Sequence, residues 1–316
     1  MLPVAGPGAS ADSTTATSAL AESPPRNAII NWEGYLQEIA MQILFSWLAV
    51  GLYGLGLVLA LPAVMRRRPS IAPAALTALG FGLVAHCASL IAVGVESHRL
   101  PVTDVRSALS FFAFLVTLAF FLVYLRYQIA SLGIFMLPLV FVLTLISALR
   151  PEESFGSPTF RGGWLLVHIA SIFLGYTGFS LTFVAAVMYL IQESQLKSKK
   201  LRALYYRLPP LEVCDELYYR SLLFGLPFLT LGILTGFVWA SRTWKGPWEF
   251  DPKIMAAMIT WLIYLVLFSA RLSGAWRGRR GAYVAIFGFA AIMVTFLGVS
   301  LLSGQHGYVP KVGGLP

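Results

Sequence analysis

The sequence predicts an all-α fold, a polytopic membrane helical bundle of about eight transmembrane helices. The chain is 58% hydrophobic and 12% charged, with a mean hydropathy of +0.76, far above the average for soluble globular proteins. A membrane-spanning helix needs about 20 mostly apolar residues. About eight such runs follow one another, covering roughly residues 36–65, 72–95, 106–126, 131–149, 163–192, 219–241, 254–271 and 281–302.

The segments outside these runs are short. Residues 1–33 are predicted to be a disordered tail, because they are rich in Ala, Ser, Thr and Pro and lack the basic and apolar regions of a signal peptide. Residues 34–308 form one membrane domain, followed by a C-terminal tail over 309–316. The longest inner connection, 193–218, is expected to be an amphipathic or short helical link, and 150–162 a polar outer loop.

The basic residues predict the orientation, because 14 of the 23 follow the first, third, fifth and seventh spans. The positive-inside rule places this side in the cytoplasm. Both termini are therefore expected outside, in a multi-pass protein of the cell (inner or plasma) membrane whose partner is the lipid bilayer. The same distribution explains the net charge of +9 without nucleic acid. The 14 residues are Arg66, Arg67, Arg68, Arg126, Lys197, Lys199, Lys200, Arg202, Arg207, Arg220, Arg271, Arg277, Arg279 and Arg280.

A short aromatic loop, from Trp239 to Lys253, separates the sixth and seventh predicted spans. Glycine and proline residues interrupt it, so it cannot simply continue a helix. Aromatic residues at a bilayer surface often form an interfacial belt, but a packed loop of flat faces beside charges also suits a flat, apolar, partly charged ligand. The pair Asp251-Pro252 is typical of a helix start and predicts where the seventh helix begins.

The four histidines, His86, His98, His168 and His306, all fall toward the membrane face that carries the aromatic loop. An ionisable residue in a bilayer is costly and usually marks a function or a partner. Neutral imidazole is a good ligand for iron, so the four histidines together with the loop favour heme. For each histidine alone, a hydrogen-bonded packing residue is the alternative.

Other chemistries lack their motifs. Cys87 and Cys214 are predicted to lie apart and no C-x-x-C occurs, which excludes a dithiol redox centre. No H-E-x-x-H, phosphate-binding G-x-x-x-x-G-K-[ST] or serine nucleophile elbow is present, which argues against a zinc hydrolase, an ATPase and a serine hydrolase.

Several motifs in order resemble the cytochrome c assembly family of the CcsA/ResC type, over roughly residues 80–308. The segment Trp244-Lys-Gly-Pro-Trp248-Glu-Phe-Asp-Pro-Lys253 is similar to the family's tryptophan-rich (WWD) loop, W-G-x-x-W-x-W-D-P-K-E. Trp164-Leu-Leu-Val-His168 is similar to its W-L-x-x-H, and Gly304-Gln-His306-Gly-Tyr308 to its G-L-H-S-Y. The segment Gly274–Arg280 and the region from His86 to Val105 are also similar to family patterns.

The resemblance implies a heme-handling site. His168 and His306 are expected to be the axial ligands of the iron of heme b, one on each face of the porphyrin. The aromatic loop is the implied platform, on which heme is presented to the C-x-x-C-H thiols of apocytochrome c. The cofactor-binding candidates on this reading are His168, His306, Trp244, Trp248, Phe250, Asp251, Lys253, His86 and His98; aromatic faces stack on the macrocycle and Lys253 pairs with a propionate.

The sequence also departs from the family pattern. Phe250 replaces the third tryptophan of the loop, Ile254 replaces an acid, and Ser269 stands where the family often has a histidine late in the seventh helix. These departures are similar to those of HemX-type relatives, membrane proteins associated with heme biosynthesis.

Three functions stay open. The first is cytochrome c maturation as part of a heme lyase (synthetase) complex, together with a ResB/Ccs1-type membrane partner and apocytochrome c. It leaves open whether this chain itself catalyses the attachment. The second is a regulatory role of the HemX type, and the third is a small-molecule permease with aromatic gates.

Overall fold

The computed structural model describes residues 32–65, 69–97, 102, 105–149, 163–198, 205–243 and 251–295. The chain divides into two compact units, 1–40 and 41–316, and the first is described only for the opening turns of α1. The helices are α1 (Trp32–Met65), α2 (Ala72–Ser97), α3 (Val105–Tyr127), α4 (Ala130–Leu149), α5 (Gly163–Ser198), α6 (Leu211–Thr243), α7 (Pro252–Leu272) and α8 (Arg279–Met293), with a short 3-10 turn at Pro69–Ile71.

The predicted all-α class is confirmed, and α1 to α7 are each long and apolar enough to cross a membrane. The predicted eighth span, 281–302, begins within α8, but residues beyond 295 lie outside the described part of the chain. The eighth crossing therefore stays a prediction, as do the two tails.

The predicted inner connection over 193–218 is helical at both ends, and the link between the two helices, 199–210, is shorter than predicted. Helix α5 continues to Ser198 and α6 already begins at Leu211, directly after Pro209 and Pro210. Polar residues of this segment form ion pairs on the helix surface, as Lys197 does with Glu193 four residues before it, at 2.6 Å. With 36 residues, α5 is about 54 Å long, so it extends well past a hydrocarbon core of about 30 Å.

Helix α5 lies at the centre of the bundle and packs most closely against α6. Two thirds (67%) of its apolar span is buried, compared with 17% for α7. The two backbones touch at glycines: a Cβ on Gly178 would lie 2.8 Å from the Cα of Gly225. Small residues at a helix interface permit this close approach within a membrane. The α5–α6 pair is therefore the rigid frame against which side chains near their ends are held.

The alternation of helices brings like ends together. Arg271, near the end of α7, donates to both carboxylate oxygens of Asp215 near the start of α6, with Nη1 2.8 Å from Oδ1. Arg220 of α6 donates to the hydroxyl of Tyr127, the last residue of α3. We call this the basic end. The opposite end, which we call the aromatic-loop end, carries the start of α5, the end of α6 and the start of α7.

Candidate heme site

His168 lies near the start of α5 and is half-buried against α6. Its Nδ1 is 2.7 Å from the carbonyl oxygen of Gly232. A carbonyl only accepts, so in the neutral ring the proton is on Nδ1 and the lone pair on Nε2. The Nε2 atom forms no hydrogen bond with the part of the chain that is described. This is the protonation pattern that a metal-binding imidazole needs.

The turn of α6 beside His168 has no side chain in the way. A Cβ on Gly236 would lie 2.6 Å from Cε1 and 2.9 Å from Nδ1 of the imidazole, closer than real contacts allow. Trp164, one helical turn before His168, donates from Nε1 to the carbonyl oxygen of Thr235 at 2.9 Å. Two hydrogen bonds thus fix this face of α5 to consecutive turns of α6.

The start of α7 brings Asp251 and Lys253 to the same end. Asp251 is buried and caps the helix, because its carboxylate accepts the Lys253 backbone N–H at 2.9 Å, and Pro252 is the first helical residue. The predicted start of the seventh helix is thereby confirmed. The Lys253 ammonium group is close enough to act electrostatically on both the Asp251 carboxylate and the His168 imidazole. Two of the candidate residues, on helices far apart in sequence, therefore lie at the same end of the bundle.

The rest of the aromatic loop, 244–250, lies outside the described residues, and so do His98 and His306. The roles of Trp244, Trp248, Phe250, His98 and His306 therefore stay predictions. Trp239 is described, but it belongs to the last turns of α6 rather than to the loop and is half-buried.

His86 lies elsewhere, in the junction of α1, α2 and α3, and is 1% exposed. Its Nδ1 is 3.2 Å from the Tyr53 hydroxyl, its Nε2 is 2.9 Å from Oγ of Ser110, and the Phe114 ring meets it edge-on. Iron ligation by His86 requires that one of these two hydrogen bonds break. These contacts are those of a hydrogen-bonded packing residue, the alternative that the sequence left open.

The described cysteines and acids form no metal centre. Cys87 and Cys214 are both free, as their positions in the sequence predicted. Within the described ranges, no group of three His, Cys, Asp or Glu side chains could hold a metal ion. Among the described residues, His168 is therefore not part of a larger metal-binding cluster.

An apolar groove of about 620 Å³ lies between α6 and α7, beside the helix ends that the aromatic loop joins. Successive helical residues are rotated by about 100°, so Phe237 and Ser241 of the groove point away from the face of α6 that holds His168. The groove is therefore separate from the His168 contact. Its lining residues are Phe237, Val238, Ser241, Ile254, Met255, Met258 and Ile259.

Sequence reasoning missed Gly232, Thr235 and Gly236, the residues that hold His168. The signal that could have found them is a pair of glycines four residues apart on α6, which marks a close helix contact. Nothing in the sequence alone shows that the contact partner is a histidine 64 residues away.

Comparison with known proteins identifies the family of the chain. The model of a family described as cytochrome C assembly protein matches residues 75–306, a range that includes His168, Lys253 and His306. A protein named cytochrome c biogenesis protein CcsA from Guillardia theta is 30% identical over 237 residues, covering 68% of this chain and 78% of that protein. Proteins of the same name from Chlorella vulgaris and Thermosynechococcus vestitus are 29% and 27% identical, covering 87% and 89% of this chain and 96% and 98% of theirs. The chain belongs to the cytochrome c assembly protein family.

Proposed function

We propose that this chain is the heme-binding membrane component of cytochrome c maturation, and that it presents heme b at the aromatic-loop end for attachment to apocytochrome c. The observation that carries the proposal is the His168 imidazole, which is held through Nδ1 while its Nε2 bonds to no described residue, at the end of the bundle that also carries Lys253. The relatives' shared name, cytochrome c biogenesis protein, supports the same process.

The described residues fit heme in two respects. His168 offers a neutral nitrogen with an unshared lone pair, which is the axial donor that heme iron takes. Lys253 places a cation near that donor, suited to a propionate carboxylate. Asp251 acts indirectly, by capping the helix that carries Lys253.

The remaining roles come from the sequence. His306 is the second axial ligand, and Trp244, Trp248 and Phe250 provide the stacking faces of the platform. His98 is a further candidate on the same face. The hydrogen-bonded position of His86 makes it a support of the α1–α3 junction rather than a first ligand in this proposal.

Heme supplies the vinyl groups that react with reduced cysteine thiols. The chain would contribute position: His168 would hold the iron, and Lys253 would pair with a propionate. Holding the reactants together in this way lowers the barrier without a general base in the protein. A ResB/Ccs1-type partner is proposed to complete the attachment complex.

The test is the absorption spectrum of the purified protein in detergent, for the wild type and for His168→Gly, His306→Gly and His86→Gln. We expect the wild type to retain heme with a two-histidine spectrum and each glycine variant to lose most of it. His86→Gln should lower the melting temperature yet keep the spectrum. Unchanged heme in both glycine variants overturns the ligation, and a wild type that never binds heme favours a permease.

A further inference from the structure

The carbonyl oxygen of Gly232 accepts a hydrogen bond from Nδ1 of His168 at 2.7 Å. A carbonyl oxygen has two lone pairs, so a helical carbonyl can accept one side-chain donor in addition to its own helix bond. Oγ1 of Thr235 also lies 2.9 Å from this oxygen, but its single hydrogen has another acceptor, the carbonyl oxygen of Leu231 at 2.8 Å. The acceptor is a backbone atom of the α5–α6 frame.

The imidazole reaches this oxygen only because α6 is bare at Gly236. A Cβ there would collide with Cε1 and Nδ1 of the ring, at 2.6 and 2.9 Å. One turn along, a Cβ on Gly232 would lie 2.6 Å from Cδ1 of Ile172. His168 and Ile172, four residues apart on α5, thus fit against two glycines four residues apart on α6. Any side chain at position 236 moves the ring away from its acceptor.

We propose that the turn 232–236 of α6 is the positioning element of the heme ligand: the Gly232 carbonyl and the bare Gly236 hold His168 as the Nδ1–H tautomer and leave Nε2 as its only ligating nitrogen. Gly232 and Gly236 are positioning residues, because in this proposal they act on heme only through His168. The role of this element in heme binding rests on the proposed function. The tautomer itself is a property of the protein without heme.

This arrangement has a chemical consequence beyond geometry. A hydrogen bond from Nδ1–H to a carbonyl makes the opposite nitrogen a better electron donor and fixes the ring's rotation. Without it, the imidazole is free to present either nitrogen. Heme retention therefore depends on a helix that has no ligand of its own.

The first experiment measures the tautomer by nitrogen NMR of heme-free protein with labelled histidine rings, the His168 signals being assigned by their loss in His168→Gln. We expect the proton on Nδ1. In Gly236→Ala this preference should disappear, whereas Gly51→Ala, whose added Cβ meets nothing within 4 Å, should leave it unchanged. A proton on Nε2 in the wild type, or a Gly236→Ala spectrum identical to it, overturns the proposal.

The second experiment uses His168→Gly and two replacement ligands, imidazole and 1-methylimidazole. Both can bind iron, but only imidazole has an N–H to donate to the Gly232 carbonyl. Heme retention should be restored at concentrations of imidazole about two- to tenfold lower than of 1-methylimidazole, the range that one net hydrogen bond gives. The intrinsic affinities of the two ligands for iron are measured with free heme in the same detergent, and the ratio of the restoring concentrations is divided by the ratio of these affinities.

The two experiments separate the two proposals. If His168→Gly keeps its heme, the ligation in the proposed function is wrong, while the NMR measurement still decides the tautomer. If His168→Gly loses heme and both ligands restore it equally, the ligation stands and the positioning role of α6 is overturned.

Discussion

At the scale of the residue, Trp239 and the tryptophans that follow it are expected to differ in function. Trp239 is a half-buried residue of α6, whereas Trp244 and Trp248 belong to the proposed platform. We expect Trp244→Ala or Trp248→Ala to weaken heme retention, since a stacked aromatic pair contributes about 0.5–1.5 kcal/mol beyond its buried area. Trp239→Ala is the matched control. Heme transfer to an excess of an apo-heme protein measures the effect, and loss in Trp239→Ala alone would mean that the assignment is reversed.

For His168, the sequence predicts the residue's role but not its hydrogen-bond partner. The spacing Trp164-x-x-x-His168 and its resemblance to a family motif were enough to predict a heme ligand. The acceptor that fixes its tautomer could not be predicted, because Gly232 has no side chain to reveal it and lies 64 residues away. A backbone carbonyl becomes a partner only once α5 and α6 are packed together. The sequence therefore leads to His168 as the proposed ligand but not to the residues that hold it.

At the scale of the element, the start of α7 depends on the Asp251 cap. Asp251→Ala removes the acceptor of the Lys253 N–H, which should cost about 0.5–2 kcal/mol and shift Lys253. Asp251→Asn keeps an equivalent cap but removes the charge. We expect the alanine variant to lower both the melting temperature and heme retention, and the asparagine variant to keep both. An asparagine variant as poor as alanine would show that the carboxylate charge, rather than the cap, is required.

Helix α6 begins earlier than its polar residues predicted, and Asp215 explains why. A polar stretch before an apolar run reads as a loop, but Asp215 pairs with the largely buried Arg271 of α7. Its neighbour Glu216 pairs with Arg220 on the same exposed surface. We expect Asp215→Ala to lower the melting temperature in detergent, since losing a hydrogen bond between charged groups in this partly buried pair costs about 1.5–3 kcal/mol. Glu216→Ala, the control, should cost at most about 0.5 kcal/mol. Equal effects would mean that the α6–α7 pair is dispensable.

At the scale of the whole molecule, the orientation of the bundle decides which compartment the proposed heme site would face. The basic end and the aromatic-loop end lie at opposite ends of α6, whose 33 residues extend about 50 Å, more than a hydrocarbon core of about 30 Å. Reporter fusions near Lys199 and near Gly246 should therefore report opposite compartments, the first in the cytoplasm. Signals from the same side would contradict the topology and the shared face of the histidines.

The two cysteines bear on how the molecule works with others. Cys87 lies within α2, and Cys214 is buried near the basic end, with Sγ 3.7 Å from the carbonyl oxygen of Pro209. Cys214 is at the opposite end from the aromatic loop, and Cys87 lies inside α2 rather than at its end, so neither is at the end of the bundle where apocytochrome thiols would meet the heme. We infer that keeping those thiols reduced and gripping the apocytochrome are functions of a partner of the ResB/Ccs1 type.

This inference predicts that the chain by itself does not mature a cytochrome. In a host stripped of its own maturation system, a reporter apocytochrome should gain covalent heme only when this chain is expressed with a cognate ResB/Ccs1-type protein. The His168→Gly variant, expressed with the same partner, is the matched negative control. Covalent attachment by the chain alone would refute the need for a partner. No attachment with the partner and a thiol reductant present would favour a HemX-type role, because heme would then be bound at the aromatic-loop end without being passed to a thiol.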